Sequence, residues 1–374
     1  MMRLMPLTDI KVGQPLPRSV YDKSGCLLLR KGVMVSLQQQ VERLLAYGLF
    51  VDEETDVPSR PIAPVKAVLP PVFDEIGALT LRLKTAFTAF FGTSPATDAG
   101  ERVVALVREI HAATVRDADA AIAAVHLDFH NPYLLSHHVH SAVLCSLLGR
   151  RLGMADDELV AVMCAALTYD IGLVNMLYLE KQIEPLSAEQ TDAIRRHPLK
   201  GVEILKRAGV DDEAWISAIT NHHERVDGSG YPNGLSGVGL SVGARMVGMV
   251  DSYTAMIKGK LFRHAKVPGM VIGEIFHGKH TQFGADVCEA LAKELGMYPP
   301  GAVVRLANGE IAVVKERSAK TKELQVFSVY DSSGMPFISP RQRDVKLDEY
   351  VVKAPVAYSE CRSVATIIRR LWTK

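Results

Sequence analysis

Between His137 and Asp251 this chain places a histidine or an aspartate about once per helix, and that cadence narrows its possible folds more than any other feature. The steps from His137 to Asp170, Asp170 to His197, His197 to His222 and His223 to Asp251 are 25 to 33 residues long. Each is roughly one helix plus its connection. Side chains spaced in this way come from successive rods of a bundle and can converge on one interior point. A single histidine on an apolar face is usually a satisfied core residue; four histidines and two aspartates in register point to a dinuclear metal site. His138 is a fifth, ambiguous histidine.

Asp170 lies in the apolar run from Ala161 to Val174. A lone carboxylate there would cost several kcal/mol unless paired or metal-bound, although capping a helix end at Gly172 would also account for it. Adjacent helical residues diverge by about 100°, so His222 and His223 can share a site only near a helix end. The following residues write that end: from Glu224 the chain runs into a loop with Gly228, Gly230, Gly234 and Gly237. Such a loop folds tightly and lets backbone approach a ligand or partner.

The rest of the chain divides by pattern. Residues 1–52 read as a small α+β module, with strands around Leu16 to Tyr21, Cys26 to Leu29 and Val33 to Val35 and a turn at Lys23-Ser24-Gly25. A helix follows, opened by a Ser36/Gln39 capping box and stopped at Gly48. Residues 53–71 carry five prolines and read as an extended linker. From 72 to 298 the pattern is helical: Ile76, Leu79, Leu83, Phe87 and Phe90 mark one face, 111–125 is alanine-rich, and Ser187 with Gln190 caps the helix that delivers His197. From 299 to 360 the period changes to two. Strands Val303 to Leu306 and Ile311 to Val314 flank Asn308-Gly309, with others over Leu324 to Tyr330 and Pro336 to Ser339. Residues 361–374 read as a basic tail or short helix, its Trp372 at a solvated end. The fold class expected is mainly α, a helical bundle with a small N-terminal α+β module and a small β-rich C-terminal one.

Charge is balanced, 43 basic residues against 42 acidic, so no nucleic-acid polymer is expected as a partner. No run is expected to reach the roughly 18 apolar residues of a membrane span. The first residues lack the shape of a secretory signal. Five scattered cysteines without CxxC read as small buried hydrophobes. A cytoplasmic location is the expectation.

The run His222-His223-Glu224 … Asp227-Gly228-Ser229-Gly230-Tyr231-Pro232 … Gly234-Leu235-Ser236-Gly237 resembles the long signature of the HD-GYP family, metal-dependent phosphohydrolases that cleave cyclic di-GMP. His197-Pro198 with Gly201, Asp251 with Tyr253, and His137 are similar to further family elements, and the likeness covers about residues 130–300. It implies an HD-type bundle in which His137, Asp170 and Asp251 hold one metal and His197, His222 and His223 a second, Asp170 bridging. Such ligands suit iron, manganese or zinc, in one or two sites. The implied reaction is in-line attack of an activated water on phosphorus, with Asp170 as the catalytic carboxylate. Arg225, Asp227, Gly228, Gly230, Tyr231 and Pro232 would form the substrate or partner loop.

Four positions depart from the family pattern. Tyr169 stands where the HD histidine would, Leu173 where a lysine is usual, Thr254 where an aspartate is expected, and Lys260-Leu261-Phe262-Arg263 replaces an Arg-Pro-Tyr-Arg segment. Tyr169 could serve as a phenolate ligand or simply fill the histidine's space. Two functions follow: a cyclic di-GMP phosphodiesterase of reduced activity, or a degenerate nucleotide-binding or protein-interaction module whose 222–237 loop docks a diguanylate cyclase domain protein.

Overall fold

The computed structural model describes residues 2–4, 14–22, 27–33, 50–52, 69–92, 94–128, 131–182, 184–258, 265–278, 280–317 and 324–373. The expected turn at 23–25, the helix over 36–48, most of the proline-rich linker and the 260–263 segment lie outside the described residues. The chain forms two compact units, Met1–Leu69 and Pro70–Lys374.

In the first unit four short strands, β1 (Met2–Leu4), β2 (Val20–Tyr21), β3 (Leu27–Leu29) and β4 (Phe50–Asp52), make an antiparallel sheet in the order β1-β4-β2-β3. β2 is shorter than the expected Leu16 to Tyr21 strand. Leu16 instead exchanges backbone bonds with Gly32 and Val33.

The second unit is a helical bundle followed by a sheet. Its helices are α1 (Val72–Thr88), α2 (Ala99–Arg116), α3 (Ala118–Leu127), α4 (Tyr133–Leu152), α5 (Asp156–Thr168), a 3₁₀ stretch (Ile171–Lys181), α6 (Ala188–Arg207), α7 (Glu213–Asn221), α8 (Val242–Lys258), α9 (Pro268–Gly278), α10 (His280–Phe283) and α11 (Ala285–Leu295). The alanine-rich stretch breaks at Asp117, whose carboxylate accepts from the Ala120 amide and starts α3. Ser187 and Gln190 form the expected capping box of α6.

α4 is the axis of the bundle, packed against α1, α2, α3, α5, α8 and α11. Leu135 through Gly149 are all buried, so this helix is enclosed on every side. Gly153 ends it in the left-handed conformation, with Met154 N–H returning to the Gly149 carbonyl. A helical stretch of 21 residues, Asp156–Met176, is apolar and long enough to cross a membrane. That corrects the expectation that no run comes close. Most of the stretch is buried against neighbouring helices, which is how a core helix meets the same criterion.

The C-terminal sheet contains β5 (Val303–Leu306), β6 (Ile311–Arg317), β7 (Leu324–Tyr330), β8 (Pro336–Arg343) and β9 (Val352–Val356), in the order β8-β7-β6-β5-β9. β5 and β6 form the hairpin read from Asn308-Gly309, and β9 returns to the open edge of β5. The tail is not a solvated end: a short helix α12 (Ala365–Arg369) folds back so that Arg369 pairs with Asp74 and Trp372 stacks on Phe73 at 5.7 Å.

Candidate metal centre

The interior of α6 and the C-terminal ends of α5 and α7 deliver the cluster. α6 carries His197, followed by Pro198 inside the helix. Proline has no N–H to donate to the carbonyl four residues back, which leaves Ile194 O open. The His197 ring takes it, with Nδ1 2.5 Å from that oxygen. At the end of α7 the last carbonyls have no intrahelical partner, and the His222 ring uses one in the same way, Nδ1 lying 2.7 Å from Ile219 O. A carbonyl can only accept, so both Nδ1 atoms carry hydrogen and both Nε2 atoms of the neutral rings present lone pairs.

Those two Nε2 atoms face each other at 3.2 Å, and Asp170 Oδ1 is 3.2 Å from the His197 Nε2. Three acceptors converge where only a proton or a cation can reconcile them. His223 completes the cluster: its ring centroid is 4.1 Å from that of His222 and 5.1 Å from that of His197. One ligand atom from each of the three imidazoles falls within 4.8 Å of the others, the arrangement a metal ion needs. Electrostatics match. Burial opposes charge on His197, but Asp170 outweighs it and raises its pKa. Burial, then His223 and His197, push His222 well down, so its ring is a neutral donor. Burial would raise Asp170, yet His197 holds it below the ordinary carboxylate range.

Two glycines allow these elements to meet. A Cβ at Gly172 would overlap the His197 carbonyl oxygen, and one at Gly248 the His222 carbonyl oxygen. The 3₁₀ stretch and α8 therefore touch the ligand-bearing backbones directly.

On the other wall, His137 Nε2 lies 2.9 Å from Asp251 Oδ1. Tyr169 is wholly buried, stacked on His138 at 4.7 Å, and its hydroxyl donates to Asp251 Oδ1 at 3.3 Å. Burial first, then Asp251 and Asp170, raise the Tyr169 pKa well above the phenol range, so the phenol stays protonated. Among the described residues His137, Asp170 and Asp251 do not gather into a cluster like the three histidines. His138 donates Nδ1 to Leu134 O, and His140 lies toward Asp128, Nε2 to Oδ2 3.6 Å, away from the cluster.

The loop after His223 is held by Glu224, which the signature run contains but to which the sequence assigned no role of its own. It is buried, and its carboxylate accepts the Asn233 and Leu235 amides at 2.6 and 3.0 Å. The signal was a glutamate directly after the histidine pair, before a glycine-rich loop whose backbone amides need acceptors. Asp227 accepts from the Ser229 amide and hydroxyl, and Gly228 turns with positive φ. Arg225 donates to the His222 and Glu224 carbonyls and lies over Phe283. Tyr231, joined to Pro232 by a cis peptide, stacks on His223 at 4.6 Å. Burial, then Asp251, raise its pKa to about 12.

The family described as HD domain matches residues 123–287. Along the chain there is 28% identity to cyclic di-GMP phosphodiesterase PA4108 of Pseudomonas aeruginosa, over 87% of this chain and 85% of that protein. Cyclic di-GMP phosphodiesterase PdeB of Borreliella burgdorferi is 23% identical over 57% of this chain and 56% of its own length. The 3'3'-cGAMP-specific phosphodiesterase 3 of Vibrio cholerae is 27% identical over 46% and 38%. Of the last two relatives the chain thus spans about half or less. Among solved structures, Bd1817, an HDG"Y"P protein from Bdellovibrio bacteriovorus, superposes with a TM-score of 0.51 at 15% identity, covering 78% of this chain and 99% of that one, a likeness of fold alone.

Proposed function

From a helical unit that carries an HD domain in an HD-GYP-like fold, we propose a metal-dependent phosphodiesterase that opens cyclic di-GMP to the linear dinucleotide or GMP, at reduced activity. The observation that carries this reading is the pair of imidazole Nε2 atoms 3.2 Å apart, each fixed by a carbonyl on its far nitrogen, beside the Asp170 carboxylate. His197, His222, His223 and Asp170 would hold one divalent cation, iron, manganese or zinc. Such a cation polarises a phosphoryl oxygen and acidifies water near neutral pH.

The chain's own residues do the remainder. Asp170, held ionised, orients His197 and supplies negative charge. Asp251 pairs with His137 and accepts from the Tyr169 hydroxyl, so the second cation position would keep His137, Asp170 and Asp251 but lack the imidazole that a histidine at 169 would add. Tyr231 walls the opening and Glu224 keeps the loop closed around it. The reading retains the sequence division at 1–52, 53–71, 72–298, 299–360 and 361–374.

The Tyr169 phenol also favours a second reading, a module that binds nucleotide or docks a diguanylate cyclase domain protein through the 222–237 loop without hydrolysis. Turnover of cyclic di-GMP and of 3'3'-cGAMP by purified, metal-loaded protein separates the two. Hydrolysis of cyclic di-GMP lost in His222→Ala supports the enzyme; a filled site with no turnover of either dinucleotide supports the module.

A further inference from the structure

Burial of the cluster is uneven, and this locates its opening. His197 and His222 are enclosed, whereas His223 and Tyr231 are only half-buried and the Asp170 and Asp251 side chains keep 16% and 20% exposure. A phosphodiester must therefore enter past Tyr231 and needs cationic donors there. Position 173, on the 3₁₀ stretch, supplies none, being leucine. Arg225 is turned to backbone carbonyls. On α6, Arg196 pairs with Asp192 and Lys200 with Glu203.

Arg195 differs from these. It is exposed, has no carboxylate partner among the described residues, and sets its guanidinium carbon 4.9 Å from the centroid of Tyr231, the ring that stacks on His223. Two residues before His197, it leaves α6 on another face and reaches the opening by its length. A guanidinium lying on an aromatic face keeps its N–H edge free for an anion.

We propose that Arg195 binds the substrate phosphate at the mouth of the metal centre, supplying the cation that position 173 lacks; this rests on the phosphodiesterase reading above. Tyr231 holds it in place, and its fork matches two non-bridging phosphate oxygens.

The test uses the full chain loaded with manganese, with Arg195→Gln and Arg195→Lys. Binding of cyclic di-GMP is followed by titration calorimetry, and hydrolysis of bis(4-nitrophenyl) phosphate provides a diester without guanine. Arg195→Gln should weaken cyclic di-GMP binding and raise KM for both diesters about tenfold or more. It should leave manganese content and kcat nearly unchanged, with Arg195→Lys recovering part of the loss. Wild-type affinity in Arg195→Gln overturns the proposal. So does a loss confined to cyclic di-GMP, which assigns the residue to guanine, or a parallel fall in metal content and melting temperature, which makes it a support for Tyr231. Wild-type protein that neither binds nor cleaves a diester shows the failure of the enzymatic reading itself, without any variant.

Discussion

Replacing Tyr169 by histidine should add a second cation, and the size of the effect can be worked from what Tyr169 does now. Its ring is fully buried against His138, and its hydroxyl reaches Asp251 at 3.3 Å and Ser141 at 3.4 Å. Without metal, Tyr169→His loses that hydroxyl contact, about 1 kcal/mol, and leaves unfilled space beside a buried imidazole. The apo variant should therefore be less stable than wild type by roughly 2–3 kcal/mol. With metal, the new imidazole stands next to His137, Asp170 and Asp251. A cation at a hundred times its dissociation constant returns about 2.7 kcal/mol, enough to close the gap. The assay is metal content by mass spectrometry after equilibrium dialysis, with melting curves in chelator and in excess manganese. Wild type should bind one equivalent and the variant two, with the melting deficit of the variant vanishing when manganese is added, and with a higher rate. Two equivalents in wild type, or one in the variant, would refute the argument that Tyr169 closes the second position.

Other outcomes follow from the same geometry. His197→Ala and His222→Ala should each strip the bound cation, measured by metal content; retention in either removes that residue from the ligand set. Gly248→Ala puts a methyl group into the His222 carbonyl, and should lower the melting temperature and metal affinity together, whereas a silent substitution would show that α8 does not fix His222. In the C-terminal sheet, Glu310 accepts from Ser328 and from both Arg343 donors at 2.5, 2.7 and 2.8 Å. Burial alone would raise its pKa, but Arg343 and Ser328 hold it below the ordinary value of 4.5. A carboxyl with a depressed folded pKa binds fewer protons folded than unfolded, so its stabilisation is present above about pH 4.5 and is lost as pH falls through the lowered value. Glu310→Gln should cost roughly 2–3 kcal/mol at neutral pH and flatten that acid limb; an unchanged pH profile would reject the assignment.

How much of this was legible in the sequence depended on whether the determinant was local. The capping box at Ser187/Gln190 and the Asn308-Gly309 hairpin were readable because a few adjacent residues dictate them. The convergence of His197, His222 and His223 was readable from helix-length spacing and a glycine-marked helix end. What stayed hidden depends on long-range packing. Nothing near Trp372 announces that the tail will return to Phe73 and Asp74, 295 residues away in the case of Arg369. The Asp156–Met176 stretch has span-like composition because it is core on most sides. The role of Pro198 in freeing a carbonyl for His197 was implicit in the His-Pro pair, but required the helix to be seen continuing through it. Arg195 could not be singled out among the arginines and lysines of α6 until its place over Tyr231 was known.

Diester hydrolysis is proposed to depend on a cation held by the three-histidine cluster with Asp170. Titrating metal-free protein with manganese while following cyclic di-GMP cleavage tests it directly. Turnover should rise in proportion to bound cation, saturate at one equivalent per chain, and be absent in His222→Ala. Full occupancy of the cluster without any cleavage, or cleavage undiminished in His222→Ala, would contradict it.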